Sequence, residues 1–273
     1  MSILTRISVS EPREVRVYGL DGVEKGRTIL PRVFNAPLRP LLVQRVFNAL
    51  FSHRVQPKGA WRGSGHKYSV ESLGAGYGLA RISRLRVTGT GKSNAGGFVP
   101  TAVGGRPTHP PVPEKRIHKD VNDKERRSAL FSALAFTANL EWVRKRGHRV
   151  PDGLDVPIVV VDEIERVSRA KDLVDFLVRL GLGEELERCR ERKVRSGKGK
   201  RRGRRYKRRV GPLIVVSRDE GISRAAGSVP GVEVVDVRDL SVLHLAPGGH
   251  PGRLVVFSSS ALGVLGGVFG VEA

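Results

Sequence analysis

The sequence predicts an α/β protein: a doubly wound, mostly parallel sheet with helices on both faces, plus a long extended basic Gly/Pro-rich internal loop. Three observations lead there. Four-residue all-apolar runs recur through the C-terminal half between helical or turn stretches, the signature of strands buried on both faces. Residues 53–113 hold 12 Gly and 6 Pro in 61 positions, and no window of them can bury a continuous apolar face. The charge is also concentrated: of the formal net +22, residues 53–113 carry +8 and residues 188–209 carry +13, leaving +1 on the other 190 residues. A near-neutral body, 1–52 and 114–273, thus bears two cationic appendages, the loop 53–113 and an Arg/Lys-rich insertion, 188–211.

In chain order, Val15-Arg-Val-Tyr18 alternates like a short strand and Gly19-Leu-Asp-Gly22 supplies hairpin turn chemistry, so a small N-terminal β element is expected. Leu38, Leu41, Leu42, Val46 and Leu50 fall at helical spacing, which predicts a helix from Leu38 to Phe51 with Pro40 in its first turn. The loop follows, and its closing run from Gly104 to Pro113 is stiffened by prolines into extended backbone. Asn122 and Glu125 have capping-box spacing, and Leu130, Ala133, Leu134, Thr137 and Leu140 continue one face toward Gly147, which suits a C-terminal cap. That pattern reads as one long helix. Strand Ile158–Val161 precedes a helix from Ser168 to Leu180 that Gly181 stops. Strand Leu213–Val216, a short helix near Ile222–Ala226, and strands Val232–Val237 and Leu254–Phe257 complete the body. The apolar, glycine-rich run Gly263–Gly270 fits none of these patterns.

Chemical candidates fail one by one. The single cysteine, Cys189, cannot form an internal disulfide, and no Cys/His cluster has metal-ligand spacing, so a reducing compartment with no metal and no cofactor is expected. The start lacks a long apolar signal segment, and runs such as Pro157–Val161 are far shorter than the ~20 residues that span a bilayer. A soluble cytoplasmic protein without a membrane partner follows. Gly91-Lys92-Ser93 with a later Asp162-Glu163 suggests a P-loop, but the glycine that should open the loop is Arg86 and no helix follows. The two acids suit the N-terminus of the helix after their strand instead. Gly74-Ala-Gly-Tyr-Gly78 lacks the flanking strand and helix of a dinucleotide site. His53, His66, His109, His118, His148, His244 and His250 include no i, i+4 pair, and no Ser or Cys sits in a strand-turn-helix elbow. No catalytic constellation and no small-molecule substrate are expected.

The appendages point to a polyanion. In the insertion, Arg195, Lys198, Lys200, Arg201, Arg202, Arg204, Arg205, Lys207, Arg208 and Arg209 are candidate phosphate contacts and Tyr206 a candidate stacking residue. The loop interleaves Arg54, Lys58, Arg62, Lys67, Arg81, Arg84, Arg86, Lys92 and Arg106 with aromatics, the combination that stacks on bases while neutralising backbone. Trp61 and Tyr77, with His66 and His109, are its other candidate contacts, and Tyr68 and Phe98 add further rings. An excursion of this length reaches at most on the order of 100 Å out and back. Its ordering entropy, ~1 to 2 kcal/mol per residue, exceeds what its own contacts return, so it needs a large anionic surface. Folded RNA, with densely packed phosphate, fits better than a DNA duplex read by a compact helix.

Five motifs in order carry a family resemblance: Gly74-Ala-Gly-Tyr-Gly-Leu-Ala-Arg81, Gly104-Gly-Arg-Pro-Thr-His-Pro-Pro111, Asn122-Asp-Lys-Glu-Arg126 opening a helix, Gly203-Arg-Arg-Tyr206, and Leu245-Ala-Pro-Gly-Gly-His-Pro-Gly-Arg-Leu254. Together they resemble the universal large-subunit ribosomal protein four family, archaeal/eukaryotic type, over nearly the whole chain. The resemblance implies a non-enzymatic structural constituent of the cytoplasmic large ribosomal subunit. Its body would lie on the outer side, and its loop would penetrate the large-subunit ribosomal RNA and help line the nascent-peptide exit tunnel. Neighbouring large-subunit proteins, and the nascent peptide near the loop tip, would be its other partners, and it would support subunit assembly. By motif the tip lies near Gly76 to Lys92, with Arg81, Arg84 and Arg86 facing tunnel or RNA, while Trp61–Lys67 and Arg106–His109 lie on the two legs. Where the family often carries Arg within its Gly-x-Gly-Arg-Gly run, this chain has Tyr77. The alternative is an RNA-processing or RNA-modifying enzyme with basic substrate-binding arms. It predicts a pocket with converging polar groups at the C-terminal ends of Val159–Val161 and Leu213–Val216.

Overall fold

A computed structural model describes residues 13–89 and 91–268. The chain divides into two units, a body of Met1–Phe51 with Asp120–Ala273 and a smaller unit of Ser52–Lys119. In the body, β1 (Glu14–Tyr18) and β2 (Glu24–Ile29) form an antiparallel hairpin. Its turn is closed by Gly19 N donating to Val23 O at 2.9 Å, and Gly22 takes φ +79°, where a side chain would be strained. Next comes α1 (Pro40–Ser52), and the small unit contributes β3 (Val70–Glu71) and β4 (Arg84–Leu85). The body resumes with α2 (Asp123–Thr137), α3 (Leu140–Lys145), β5 (Ile158–Val160), α4 (Ala170–Arg179) and α5 (Gly183–Arg190). A ribbon of β6 (Lys193–Val194) and β7 (Tyr206–Lys207) leads to β8 (Leu213–Val216), α6 (Ile222–Gly227) and β9 (Glu233–Asp236). Then follow α7 (Val242–Leu245), β10 (Val255–Ser258) and α8 (Ser259–Val268).

Six strands make one sheet in the order β2-β1-β5-β10-β8-β9, parallel throughout except for the β1–β2 hairpin. The N-terminal hairpin is therefore part of the main sheet, with Val17 opposite Val159 and Tyr18 opposite Val160. Successive residues of a strand point to opposite faces, so a strand buried on both sides must be apolar throughout. Val159, Leu213, Val215, Val255 and Phe257 enter one buried cluster with Val43 and Val46 of α1, Ala133 and Leu134 of α2, and Ala261 and Leu265 of α8. Their neighbours Ile158, Val160, Ile214, Val216 and Val256 enter a second cluster with Leu173, Phe176 and Leu177 of α4 and Ile222 and Ala225 of α6.

Several expected elements differ in detail. α1 starts at Pro40 and buries Val43, Val46 and Ala49, while Leu41 stays 79% exposed. The buried stripe is thus rotated from the one the leucines suggest. The long helix expected to run toward Gly147 is two helices. Asn139 interrupts it, its side chain accepting from Glu141 N at 3.0 Å and Trp142 N at 3.4 Å and so restarting the chain as α3. Asn122 is the N-cap residue of α2 but makes no side-chain capping bond. The run Gly263–Val268 lies in α8, which buries Ala261, Leu262 and Leu265, and the rest of the Gly-rich C-terminal run is outside the described residues.

Candidate nucleic-acid interface

The small unit holds itself together by contacts between its two ends and a miniature core. Ser52 Oγ accepts from Lys119 N at 3.0 Å, His53 stacks on His118 with ring centroids 5.1 Å apart, and Ala60 N donates to Pro111 O at 2.9 Å. At Gly65, with φ +87°, a β-carbon would fall 2.4 Å from the Arg106 backbone. Farther in, β3 pairs with β4, Val70 opposite Leu85, and Gly97 packs so closely that a β-carbon would meet both side chains at 2.8 Å. Leu85 is buried there. The core missing from every sequence window is thus assembled from residues far apart in the chain. Phe98 takes φ +58°, a costly region for a bulky residue, held edge-on to His66 at 4.6 Å and beneath the Arg106 guanidinium at 5.4 Å.

Among the candidate contact residues of this unit, Arg54, Lys58, Trp61, His66, Lys67, Tyr77, Arg81, Lys92, Arg106 and His109 are exposed. Three of the arginines already bond to carboxylates or carbonyls. Arg62 pairs with Glu114 at 3.0 Å, Arg86 with Glu71 at 3.4 Å, and Arg84 turns inward to donate to Asn94 O at 2.7 Å and Ala80 O at 3.3 Å. Arg84 therefore staples its own turn, and of Arg81, Arg84 and Arg86 only Arg81 offers an uncommitted head among the described residues. Tyr68 sits between Lys67 and Lys92, each 5.6 Å from its ring. The hydrogen bond from Lys92, then the Lys67 charge, pull its phenol below the usual tyrosine range.

The insertion is ordered locally. β6 and β7 pair with Lys193 opposite Lys207 and Val194 opposite Tyr206, and Lys198–Arg202 forms a 3₁₀ turn closed by Gly203 in the left-handed region. Main-chain bonds, Arg195 N to Arg205 O at 2.8 Å and Arg204 N to Gly199 O at 3.1 Å, hold it. Lys198, Lys200, Arg201, Arg202, Arg204, Arg205, Tyr206, Lys207, Arg208 and Arg209 are exposed, and Arg195, half-buried, donates to Arg204 O. Arg205 lies over Tyr206 at 5.8 Å and Arg209 pairs with Glu191 at 2.8 Å. Like charges opposed across a ribbon repel, so a neighbouring anion stabilises this conformation.

The first residue of the insertion faces the other way. Arg188 donates to both oxygens of the buried Glu185, at 2.6 and 2.8 Å, and to Val210 O at 2.8 Å, tying the two ends of the ribbon together. Burial works against ionisation of Glu185, but bonds from Arg188, His148 and Arg149 N outweigh it and hold the carboxyl down at about 2. His148 has its pKa lowered by its burial, against the opposing pull of its bond to Glu185. Arg253 is buried completely, donating to Gly211 O at 2.9 Å, Glu233 at 2.6 Å and His244 O at 2.8 Å. The Leu245–Leu254 motif is thus packing: at Gly252 a β-carbon would fall 2.8 Å from the Trp142 carbonyl. Nothing in sequence separated Arg188 and Arg253 from the exposed cations around them.

At the C-terminal ends of the central strands, polar groups converge on one another. Glu165 is buried and accepts from Ser217 N at 2.8 Å, Ser258 Oγ at 2.7 Å and Ser260 Oγ at 3.2 Å. Asp162 accepts from Ser260 N at 2.7 Å in the first turn of α8. Asp162 and Glu163 lie in the first turn of the 3₁₀ helix Asp162–Arg166 after their strand, and the Asp162 side chain also caps the C-terminal helix. Burial, then Glu185, push the Cys189 thiol up to about 11, so it is protonated at neutral pH and not a nucleophile. Among the described residues no group of three or more His, Cys, Asp or Glu is placed to hold a metal, and no helix is long and apolar enough to cross a membrane.

The family model described as Ribosomal protein L4/L1 family matches residues 28–268. The chain is 44% identical over 250 residues to large ribosomal subunit protein uL4 of Methanococcus aeolicus, covering 91% of this chain and 97% of that protein. It is 45% identical over 253 residues to the uL4 of Methanopyrus kandleri, 92% and 97% of the two chains. With the uL4 of Saccharolobus islandicus it shares 41% over 247 residues, 90% and 91%.

Proposed function

Because the chain belongs to the ribosomal protein L4/L1 family, we propose that it is a structural, non-enzymatic constituent of the large ribosomal subunit that binds large-subunit ribosomal RNA through two basic appendages. The observation that carries the binding is the state of the cations. Those of the ribbon between Lys198 and Arg208 are exposed and face no carboxylate among the described residues, on a body that is otherwise near-neutral. Cations left in water keep their counterions until a polyanion releases them, which is where RNA affinity originates.

On this reading the body, 1–52 and 114–273, has helices on both faces of its sheet, which the two buried clusters support, and folds without RNA. The loop 53–113 helps line the nascent-peptide exit tunnel, with Tyr77 and Arg81 presented from its glycine-rich stretch, and both arms support subunit assembly. Neighbouring large-subunit proteins, and the nascent peptide near Gly76–Lys92, complete its partners in the cytoplasm. The polar groups at the strand ends satisfy one another, which suits a capped sheet edge rather than an active site. Sedimentation of a cell extract tests the reading: co-migration with the large subunit through a high-salt wash is expected, and a free pool that leaves the subunit in that wash would overturn it.

A further inference from the structure

Between its two leg-to-leg contacts, Ala60 N to Pro111 O at one end and Gly65 against Arg106 at the other, the small unit encloses a cleft of about 730 Å³. One wall is an aromatic face. Trp61 opens a turn closed by Ser64 N donating to Trp61 O at 3.0 Å, and its indole folds back over Gly63, where a β-carbon would lie 2.4 Å from Cζ2. Glycine there lets the ring lie flat on its own turn, so one face is covered by backbone while the residue remains 75% exposed. The lining also holds Pro107, Pro110 and Pro111, which present apolar ring surface and no N–H. Glu114 stands at the rim, held by Arg62 at 3.0 Å.

We infer that this cleft binds a single unstacked nucleobase, turned out of the RNA and laid on Trp61. The inference rests on RNA binding by the arm and adds the chemistry that the arm recognises. A half-covered indole in a cleft lined by prolines offers a stacking surface, and every base has a π-face to lie on it. Glu114, paired with Arg62 at 3.0 Å, is the acid among lining residues that also include Arg106, so a base edge meets both a carboxylate acceptor and guanidinium donors there. The two leg contacts hold the legs together in advance, so the base enters a formed site.

Two tryptophans are present, and the Trp142→Phe variant of the full chain leaves Trp61 as the sole indole reporter. It is titrated with a short single-stranded oligoribonucleotide and with an abasic ribose-phosphate oligomer of the same length, at several salt concentrations. Quenching of Trp61 by the first and not the second is expected. Trp61→Leu, an exposed position that leaves the body intact, is expected to weaken binding of the base-bearing oligomer roughly 5- to 150-fold, with the salt slope unchanged. Gly63→Val, which displaces the ring, should act like Trp61→Leu. Salt-dependent binding with unmoved fluorescence and no loss in Trp61→Leu would overturn the base site and leave RNA binding by the arm standing. Equal quenching by the abasic oligomer would also overturn it. Failure of either oligomer to bind at low salt would remove the RNA reading and the base site with it.

Discussion

The ribbon offers a measurement in which charge can be counted. Lys198, Lys200, Arg201, Arg202, Arg204 and Arg205 are exposed and face no carboxylate among the described residues, and the bonds that hold their turn are main-chain. Changing all six to Gln removes charge while leaving backbone and body in place. Each phosphate neutralised contributes about 0.9 to the slope of log K against log salt on a duplex and about 0.7 on a single strand. If every side chain meets one phosphate, the slope falls by roughly 4 to 5. Between 50 and 200 mM salt the unmodified chain should then lose roughly 300- to 2,000-fold more affinity than the variant. Fluorescence anisotropy with a labelled large-subunit RNA fragment, across a KCl series, reads this directly. Arg209→Gln is the internal control: Arg209 already pairs with Glu191 at 2.8 Å, so its loss should change the slope by well under one. A six-residue variant whose slope falls by less than about 1, with unchanged melting, would refute the assignment of phosphate contact to the ribbon.

Other expectations concern the body and the arm that it carries. Glu185 is held at about 2 against an ordinary 4.5, so its ionised form stabilises the fold above about pH 5, and that contribution drains away as pH falls toward 2. Glu185→Gln should therefore cost about 3 kcal/mol in urea denaturation at pH 7, with the gap to the unmodified chain closing near pH 2 to 3. A gap that does not change with pH would contradict it. His148 has its pKa lowered by burial, so the unfolded chain takes up its proton first; stability should begin to fall below about pH 6.5, and His148→Gln should flatten that limb in a melting-temperature series. Glu165→Ala strands Ser217 N and leaves the Ser258 and Ser260 hydroxyls to each other at 3.3 Å; at about 1 to 3 kcal/mol for a buried group left unpaired, it should lower the urea midpoint. Gly65→Ala sets a β-carbon 2.4 Å from the Arg106 backbone, so limited proteolysis within 53–113 should accelerate while the body resists as before.

Strand positions, the α/β class and the two cationic stretches were legible because each is written in consecutive residues. A strand buried on both faces must be apolar at every position, and a segment of glycine, proline and like charge cannot close a core of its own. Order among the strands was not legible. β10 is last in sequence yet lies between β5 and β8, and the N-terminal hairpin extends the sheet through β5, because apolar strands of similar length pair equally well until helices and crossovers choose among them. The same limit governed the candidate contacts. Nine loop cations and ten ribbon cations looked alike as residue types, and composition reports only that a cation prefers water or an anion.

From the sequence alone came a neutral body, two basic arms, and motifs enough to resemble a ribosomal family. The tertiary structure decided which charges are available. It turned Arg188 and Arg253 inward to tie the ribbon to the body, committed Arg84 to its own turn, set Asp162 on a helix at the far end of the chain, and brought Trp61 into one cleft with Pro110 and Pro111. The physical reason is common to all of these: a charge or ring takes its role from the atoms it meets, and only the folded chain brings those atoms to it.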